Sequence, residues 1–177
     1  MASKSTMSPE IMKADVKTNI GLSDESRKSV VDILNARLCD EYTLYTKTRK
    51  YHWNVVGPRF QMLHEFFEEQ YEIIEEMIDE VAERARMLGG KSFGTMEEFV
   101  MHSSIKEDPG EYPDAGKMIA NLLKDHETII QTLRKNADEC DEKYDDMGTN
   151  DFLIEGMQKH EKMAWMLRAH LEGKSTA

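Results

Sequence analysis

The sequence predicts an all-α fold, namely a four-helix bundle with one long crossover that carries a short helix. Only four residues are proline and ten are glycine, so long stretches of the chain can remain helical. Apolar residues recur at helical spacing in four long segments. The first and last connections between these segments are short and the middle one is long, which is typical of a bundle with one crossover.

Length and composition fit one packed domain. The chain has 177 residues, of which 40% are hydrophobic and 32% are charged, so it can bury a core and is not expected to be disordered throughout. We expect a flexible N-terminal arm over residues 1–20, the bundle over residues 21–173 and a short C-terminal tail over residues 174–177.

Neither a membrane nor secretion is expected. No apolar run is long enough to cross a bilayer, and the first residues lack the apolar core of a secretory signal, which favours the cytoplasm. Cys39 and Cys140 are isolated and fit no metal or redox spacing, so we expect two reduced, buried thiols.

The first helix is predicted from its cap and its apolar spacing. Ser23, followed by Asp24 and Glu25, is typical of an N-cap with acidic residues in the first turn. We predict a helix from about residue 24 to about residue 52. Its buried side is expected to carry Val30, Val31, Leu34, Leu38, Tyr42 and Tyr45. Gly57-Pro58 ends this segment, and Pro58 suits the first position of the next helix.

The second helix is predicted from Pro58 to the Gly89-Gly90 pair, which suits a helix C-terminus. Its apolar side comprises Phe60, Leu63, Phe67, Ile74, Met77, Ile78, Val81, Ala85 and Leu88. Thr95 and Glu98 then form a capping-box pattern, which predicts a short helix that ends near Met101 within the crossover.

Two more long helices complete the bundle. The third is expected to begin after Pro113 or Asp114. Its buried side comprises Ile119, Leu122, Leu123, Ile129, Ile130 and Leu133. The fourth is expected to be capped by Thr149 or Asn150 and to end near Leu171. Four long helices with one crossover have the ferritin-like topology.

The second helix concentrates acidic residues. Residues 64–83 contain nine Asp or Glu and no Lys or Arg, although a solvated helix surface normally mixes both signs, because opposite charges four residues apart stabilise it. At 3.6 residues per turn, six polar residues fall within an arc of roughly 100°. They are His64, Glu68, Glu72, Glu75, Asp79 and Glu83. This acidic stripe is either a plain acidic surface or a place for a cation.

Two pairs in the acidic stripe, His64 with Glu68 and Asp79 with Glu83, each offer two ligands to one point. Glu68 and Asp79 are roughly 16 Å apart along the helix axis, so one chain cannot bring both pairs to one ion. The pairs are nevertheless symmetric about the point between residues 73 and 74. Two copies of the helix packed antiparallel across a two-fold axis would therefore bring each pair against the other and form two identical sites.

A second symmetry adds His52 to this ligand set. His52 and His64 are equidistant from Pro58, so an antiparallel hairpin sets them side by side. The predicted metal site comprises His52, His64 and Glu68 from one chain and Asp79 and Glu83 from its partner. Two imidazoles and three carboxylates suit iron, manganese or zinc better than calcium or magnesium. Glu72 and Glu75 share the symmetry and are interpreted as extra acids near the axis.

These residues also resemble a known family. The stretches HWNVVGPRF, LHEFFEE and IDEVAERARMLGG are similar to the recurring pattern of the Dps family, which are small ferritin-like proteins. The resemblance spans roughly Leu22 to Leu171. It implies ferroxidase ligands at the same five positions, with Glu68 where the family usually has Asp, and it implies that Trp53 lies near the site.

The resemblance further implies an assembly and a reaction. Family members form hollow shells of twelve subunits, oxidise Fe(II) with hydrogen peroxide or with oxygen, and hold the ferric mineral inside, which protects the cell from oxidative damage. The implied metal is iron, with zinc or manganese as alternatives at the same site. The positions that match the family's acidic entry pores are Glu142, Asp146 and Asp151.

DNA binding, a scaffold role and a single-chain di-iron site are the alternatives to the divided metal site. The net charge of −11 opposes DNA binding by the folded body, because phosphate contacts need clustered Lys and Arg. The arm carries Lys4, Lys13 and Lys17, so a nucleoid protein that binds and compacts DNA, with secondary iron chemistry, is the alternative. A plain acidic scaffold is a further alternative. A single-chain di-iron site is disfavoured, because no Glu-x-x-His occurs in the sequence.

Overall fold

The computed structural model describes residues 17–172, and the chain is helical with no strand in that range. The helices are α1 (Asp24–Asn54), α2 (Phe60–Met87), α3 (Met96–His102), α4 (Ala115–Glu142) and α5 (Met147–Glu172). The predicted all-α fold is therefore confirmed. Residues 1–16 of the predicted arm, residue 173 at the end of the predicted bundle and the predicted tail of residues 174–177 lie outside the described residues.

Two antiparallel hairpins form the bundle. α1 packs along α2, and α4 packs along α5, whereas the crossover from α2 to α4 carries α3 against α1. The core lies between the hairpins and includes side chains from all four long helices, such as Leu34, Phe67, Leu122 and Leu153. This arrangement leaves the outer side of the α1–α2 hairpin, which carries the acidic stripe, facing solvent.

Two predicted caps and one predicted helix start, the one after Asp114, are confirmed by side-chain hydrogen bonds to the first free N–H groups of a helix. Ser23 accepts a hydrogen bond from the amide of Ser26 at the start of α1. Thr95 and Glu98 form a complete capping box at α3, and Asp114 caps α4. Each cap satisfies donors that have no partner within the helix.

The predicted end of α2 at Gly89-Gly90 is also confirmed, and both glycines are needed there. Gly89 has a φ of 82°, a conformation that side chains disfavour. The amide of Gly90 donates to the carbonyl of Ala85 at 3.1 Å, which closes the helix in the manner of a Schellman motif. A Cβ on Gly90 would lie 2.5 Å from Cγ1 of Val31, so this glycine lets the end of α2 approach α1.

Two predicted helix starts and one buried position are wrong. α2 begins at Phe60 with Arg59 as its N-cap, rather than at Pro58, because residues 57–59 still form the turn. Phe60 is 46% exposed instead of buried, since the first turn of α2 projects beyond the core. α5 begins at Met147, and its N-cap is Asp146 rather than Thr149 or Asn150. The Asp146 carboxylate accepts a hydrogen bond from the amide of Thr149, as an N-cap side chain does.

Polar contacts tie the crossover and α4 to α1. Asp108 pairs with Lys50 at 2.8 Å and accepts a hydrogen bond from the Tyr51 hydroxyl at 2.6 Å. Lys47 pairs with Asp125 at 2.7 Å. These buried and half-buried contacts fix how α1 lies against the second hairpin.

Two further expectations concern the cysteines and the membrane. Both cysteines are buried and free, as predicted, and burial raises the pKa of each thiol to about 12. Within residues 17–172, no helix combines the length and the apolar character that a bilayer span requires.

Candidate metal centre

Two stacked histidines lie where α1 ends and α2 begins. The ring centroids of His52 and His64 are 3.7 Å apart, and the ring planes differ by 19°. Each ring bonds to the backbone of the other residue: Nδ1 of His52 is 2.8 Å from the carbonyl oxygen of His64, and Nδ1 of His64 is 2.8 Å from that of His52. The hairpin therefore brings these residues together as the symmetry about Pro58 predicts.

This reciprocal arrangement decides which ring nitrogens are available. A carbonyl oxygen can only accept a hydrogen bond, so each Nδ1 carries the hydrogen and donates it. In a neutral imidazole the lone pair then belongs to Nε2. Within residues 17–172, the hydrogen bonds of the His52 and His64 rings are made by Nδ1, and neither Nε2 has a partner. Metal-binding histidines usually donate their other N–H to a carbonyl or carboxylate in this way, so the hydrogen bonds give both rings the orientation and the tautomer that a metal ligand needs.

Glu68 lies one turn beyond His64 on α2. Its Oε1 accepts a hydrogen bond from the Tyr71 hydroxyl at 2.9 Å, and the Tyr71 ring meets the His52 ring edge-on at 5.3 Å. Burial and the bond to Glu68 raise the pKa of Tyr71, which keeps the phenol protonated as a donor. The structure thus connects Glu68 to the histidine pair through one aromatic ring.

A second group of aromatic and basic side chains from α1 surrounds this region. The Tyr45 hydroxyl donates to Oε1 of Glu75 at 3.0 Å and accepts a hydrogen bond from Arg49 at 2.8 Å. The Arg49 guanidinium lies over the rings of Tyr45, Trp53 and Tyr71 at 5.0–5.4 Å. Arg49 thus faces the middle of the acidic stripe, and Trp53 is 63% exposed beside it.

Asp79 and Glu83 lie further along α2 and do not approach the histidine pair within the protomer. Both are exposed to solvent, and the axial distance from Glu68 to Asp79 is roughly 16 Å. Among residues 17–172, no three His, Cys, Asp or Glu side chains converge in a way that could hold a metal ion. On one protomer the structure therefore brings only His52 and His64 together, links Glu68 to them through Tyr71, and leaves Asp79 and Glu83 apart.

The carboxylates of the predicted ligands have no cationic partner within the described chain. Neither Glu68, Asp79 nor Glu83 lies within ion-pair distance of a basic group there, whereas the neighbouring Glu80 pairs with Lys159 at 2.9 Å. Unpaired carboxylates on one face repel one another. A cation would relieve that repulsion.

The predicted pore acids have three different surroundings. Glu142 and Asp151 are exposed at the end of α4 and the start of α5. Asp146 is 4% exposed, caps α5 and pairs with Arg84 at 3.1 Å. Its negative charge is therefore already balanced by Arg84. The matching position in the predicted pore is expected to carry a carboxylate without a basic partner.

A buried hydrogen-bonded chain crosses the bundle core away from this centre. Nε2 of His160 is 2.8 Å from Oε1 of Glu41, and Nδ1 of His160 is 2.9 Å from Nδ1 of His126. All three side chains are buried, and Oε2 of Glu41 and Nε2 of His126 have no partner within the described chain. Both ring nitrogens of His160 are occupied by hydrogen bonds, so this chain does not present three ligands to one point.

Sequence reasoning missed two features of this region. The bond from Tyr71 to Glu68 spans three residues of α2, so helical spacing alone would reveal the pair as neighbours. The contact of Tyr45 with Glu75 joins two helices, and it becomes visible only when the hairpin register set by His52 and His64 is extended along α1 and α2.

Comparison with known proteins agrees with this architecture. A family model described as the ferritin-like domain matches residues 31–175. The chain is 49% identical over 158 residues to a Nostoc protein called an uncharacterised low-temperature-induced protein. The aligned part covers 89% of this chain and 88% of the Nostoc protein. It is 41% identical over 145 residues to DNA protection during starvation protein 2 of Bacillus anthracis, and the aligned part covers 81% of this chain and 97% of that protein.

A solved structure gives the same result. The Dps protein of Vibrio cholerae, described as a member of a broad superfamily of ferritin-like diiron-carboxylate proteins, superposes with a TM-score of 0.82 at 29% identity. The match covers 90% of this chain and 99% of that one. With its five-helix architecture and its paired histidines at the α1–α2 turn, the chain belongs to the Dps family of ferritin-like proteins.

Proposed function

We propose that this protein is a ferroxidase and iron-storage protein, which oxidises Fe(II) as its substrate and holds the ferric product inside a hollow homo-oligomer of twelve subunits. The observation that carries the proposal is the histidine pair, because His52 and His64 use both Nδ1–H groups on backbone carbonyls and leave both Nε2 atoms for a metal. Family membership supports iron as that metal, since the Vibrio cholerae relative is described as a ferritin-like diiron-carboxylate protein. Zinc and manganese are the alternative metals for the same donor set.

The missing ligands would come from a second copy across a two-fold axis. Two antiparallel α2 helices centred beside Ile73 would bring Asp79 and Glu83 of one subunit level with Glu68 and His64 of the other, and each dimer would contain two identical sites. Ile73 is 36% exposed and would lie at the axis. Its burial between two copies, together with that of Trp53 and Phe60 near the histidines, would favour such a dimer.

This ligand set suits the oxidation of iron. Neutral imidazoles and carboxylates both bind Fe(II), and three carboxylates offset the extra positive charge when Fe(II) becomes Fe(III). Each Fe(II) gives up one electron and hydrogen peroxide accepts two, so two Fe(II) ions are oxidised for each peroxide. The peroxide takes up two protons and leaves as two water molecules. Oxygen is the alternative oxidant.

Iron is proposed to enter through pores lined by Glu142 and Asp151. Both carboxylates are exposed at the α4–α5 turn, where rings of acids in a symmetric shell would attract cations by concentrating their electric field. Asp146 is proposed to hold the turn in place, because its carboxylate already pairs with Arg84.

Protection of DNA is the second candidate function, and one relative favours it by name, since the Bacillus anthracis protein is called a DNA protection during starvation protein. Removal of Fe(II) and peroxide in the cytoplasm would protect DNA without contact. Direct binding at the nucleoid is opposed by the net charge of −11. A gel shift that persists at physiological salt would support direct binding, and the absence of a shift at low salt would rule it out.

The test follows Fe(II) oxidation at stoichiometric peroxide while the particle mass is measured. We expect His64→Ala to remove most of the rate without a change in mass, because His64 supplies one of the two imidazoles. His102→Ala is the matched control, since His102 lies on α3 beside Phe93 and away from the pair. Equal rates for wild type and His64→Ala would eliminate the proposed site.

A further inference from the structure

We propose that Tyr71 is a positioning residue for iron oxidation, which holds the carboxylate of Glu68 beside the histidine pair and makes the longer Glu68 side chain an effective ligand. This inference rests on the proposed function. It identifies a residue outside the five predicted ligands, and it explains how a glutamate can serve at a position where the resemblance to the Dps family implies an aspartate.

Tyr71 contacts both kinds of ligand at once. Its hydroxyl donates to Oε1 of Glu68 at 2.9 Å, and its ring packs edge-on against His52, with ring centroids 5.3 Å apart and planes at 83°. One rigid side chain therefore links an oxygen ligand to a nitrogen ligand. A phenol has only two side-chain torsions, so it restricts the carboxylate at a small entropic cost.

The direction of the hydrogen bond leaves Glu68 able to bind a metal. The Tyr71 hydroxyl is the donor, because an ionised carboxylate can only accept. Only one lone pair of Oε1 is used in this bond. Oε2 and the second lone pair of Oε1 remain free, and their direction is fixed by the bond to Tyr71.

The Tyr71 ring is itself held from α1. The Arg49 guanidinium lies 5.4 Å from the centre of the Tyr71 ring, and the Tyr45 ring meets that ring edge-on at 6.0 Å. Arg49 also donates to the Tyr45 hydroxyl. Arg49 and Tyr45 of α1 therefore fix the Tyr71 ring, and through it the orientation of Glu68 on α2. The hydrogen bond from Arg49 to Tyr45 holds these two α1 side chains in place.

The length of the side chain at position 68 explains the need for this support. Glutamate has one more rotatable bond than aspartate and loses more conformational freedom when it binds a metal. An aspartate would also hold its carboxylate about 1.3 Å closer to the α2 backbone, and we expect this shift to weaken the 2.9 Å bond from Tyr71. The positioning effect of Tyr71 is therefore expected to depend on a glutamate at position 68.

The test is a double-substitution cycle on the assembled protein with Zn(II) as the probe, because zinc binds similar ligands and is not oxidised. Wild type, Tyr71→Phe, Glu68→Asp and the double variant are titrated by calorimetry. We expect Tyr71→Phe to weaken zinc binding by about tenfold to a hundredfold, the usual effect of removing a group that orients a ligand. In the Glu68→Asp background, we expect less than about a twofold effect.

Tyr144→Phe is the matched control. The Tyr144 hydroxyl donates to Oε1 of Glu139 at 3.1 Å, so the substitution removes the same kind of bond at the end of α4, away from the histidine pair. It should leave zinc affinity unchanged. The titration measures an equilibrium, so an effect of Tyr144→Phe on the rate of metal entry would not alter the result.

The remaining outcomes separate this inference from the function on which it rests. Zinc binding that is lost in His64→Ala but unchanged in Tyr71→Phe would overturn the positioning role alone. Equal losses from Tyr71→Phe in the wild-type and the Glu68→Asp backgrounds would also overturn it, because Tyr71 would then act independently of the carboxylate. Wild-type zinc binding that does not depend on His64 would overturn both proposals.

Discussion

The buried His126 side chain should make the fold sensitive to acid. His126 is fully buried, and desolvation, followed by the nearby His160, lowers its pKa well below the ordinary value of 6.5. The unfolded chain therefore binds a proton near pH 6.5 that the folded chain does not bind. As the pH falls below 6.5, this difference favours unfolding.

The size of the effect follows from that proton. A group that titrates near pH 6.5 in the unfolded chain and stays neutral in the folded one reduces the free energy of unfolding by about 1.4 kcal/mol between pH 7.5 and pH 5.5. We expect His126→Asn to abolish this share of the pH dependence, since its amide can still donate to His160 but cannot take up a proton.

The assay measures the free energy of unfolding by urea at pH 5.5, 6.5 and 7.5, at one protein concentration and without metal, because assembly and bound metal both change apparent stability. His126→Asn will lower stability at every pH because asparagine is smaller, so the pH dependence is the quantity compared. His102→Asn is the control for removing a histidine. If wild type and His126→Asn lose the same free energy between pH 7.5 and pH 5.5, the reasoning is refuted.

Three further predictions concern the helix ends and the pore. Gly90→Ala should cost about 1–3 kcal/mol of unfolding free energy in urea denaturation, because its Cβ would lie 2.5 Å from Val31; a cost below about 0.5 kcal/mol would contradict the close packing. Asp146→Ala should cost about 1 kcal/mol or more, because it removes the α5 cap and leaves Arg84 unpaired; unchanged stability would argue against the cap. Glu142→Gln with Asp151→Asn should slow Fe(II) oxidation at low iron and low salt but not at saturating iron, as stopped-flow absorbance would measure; equal rates would exclude these acids from iron entry.

Local signals in the sequence predict most of the fold. Ser23 and Thr95 with Glu98 are correctly identified as caps, and the start of α4 after Asp114 is also correct, because a helix start depends on a few adjacent residues. Gly89-Gly90 is likewise correct. The start of α5 is predicted a few residues late, since Asp146, Thr149 and Asn150 are all good capping residues and spacing alone does not choose between them.

The candidate site is predicted only in part, for a geometric reason. A tight turn makes the register of the α1–α2 hairpin predictable, and the structure brings His52 beside His64 as that register requires. Contacts between the two hairpins depend on the long crossover, which leaves the register of α5 against α1 open. The bond between His160 and Glu41 is therefore beyond sequence reasoning. The inter-subunit ligand set stays a prediction.

The central claim is that each site takes its histidines from one subunit and Asp79 and Glu83 from the other, and complementation between two inactive variants tests it most directly. One variant carries His64→Ala and the other carries Asp79→Ala with Glu83→Ala. In a mixed dimer, one of the two sites contains all the defects and the other contains none. Random pairing of equal amounts makes half of the dimers mixed, so about a quarter of all sites would be intact.

The two variants are unfolded, combined in equal amounts and refolded together, and Fe(II) oxidation by peroxide is compared with that of wild type treated in the same way. Each variant refolded alone and then added to the other is the control. The shared site predicts about a quarter of the wild-type rate after joint refolding and almost none in the control. If joint refolding restores no activity, although mass measurement shows that mixed particles have formed, the site is not divided between two subunits.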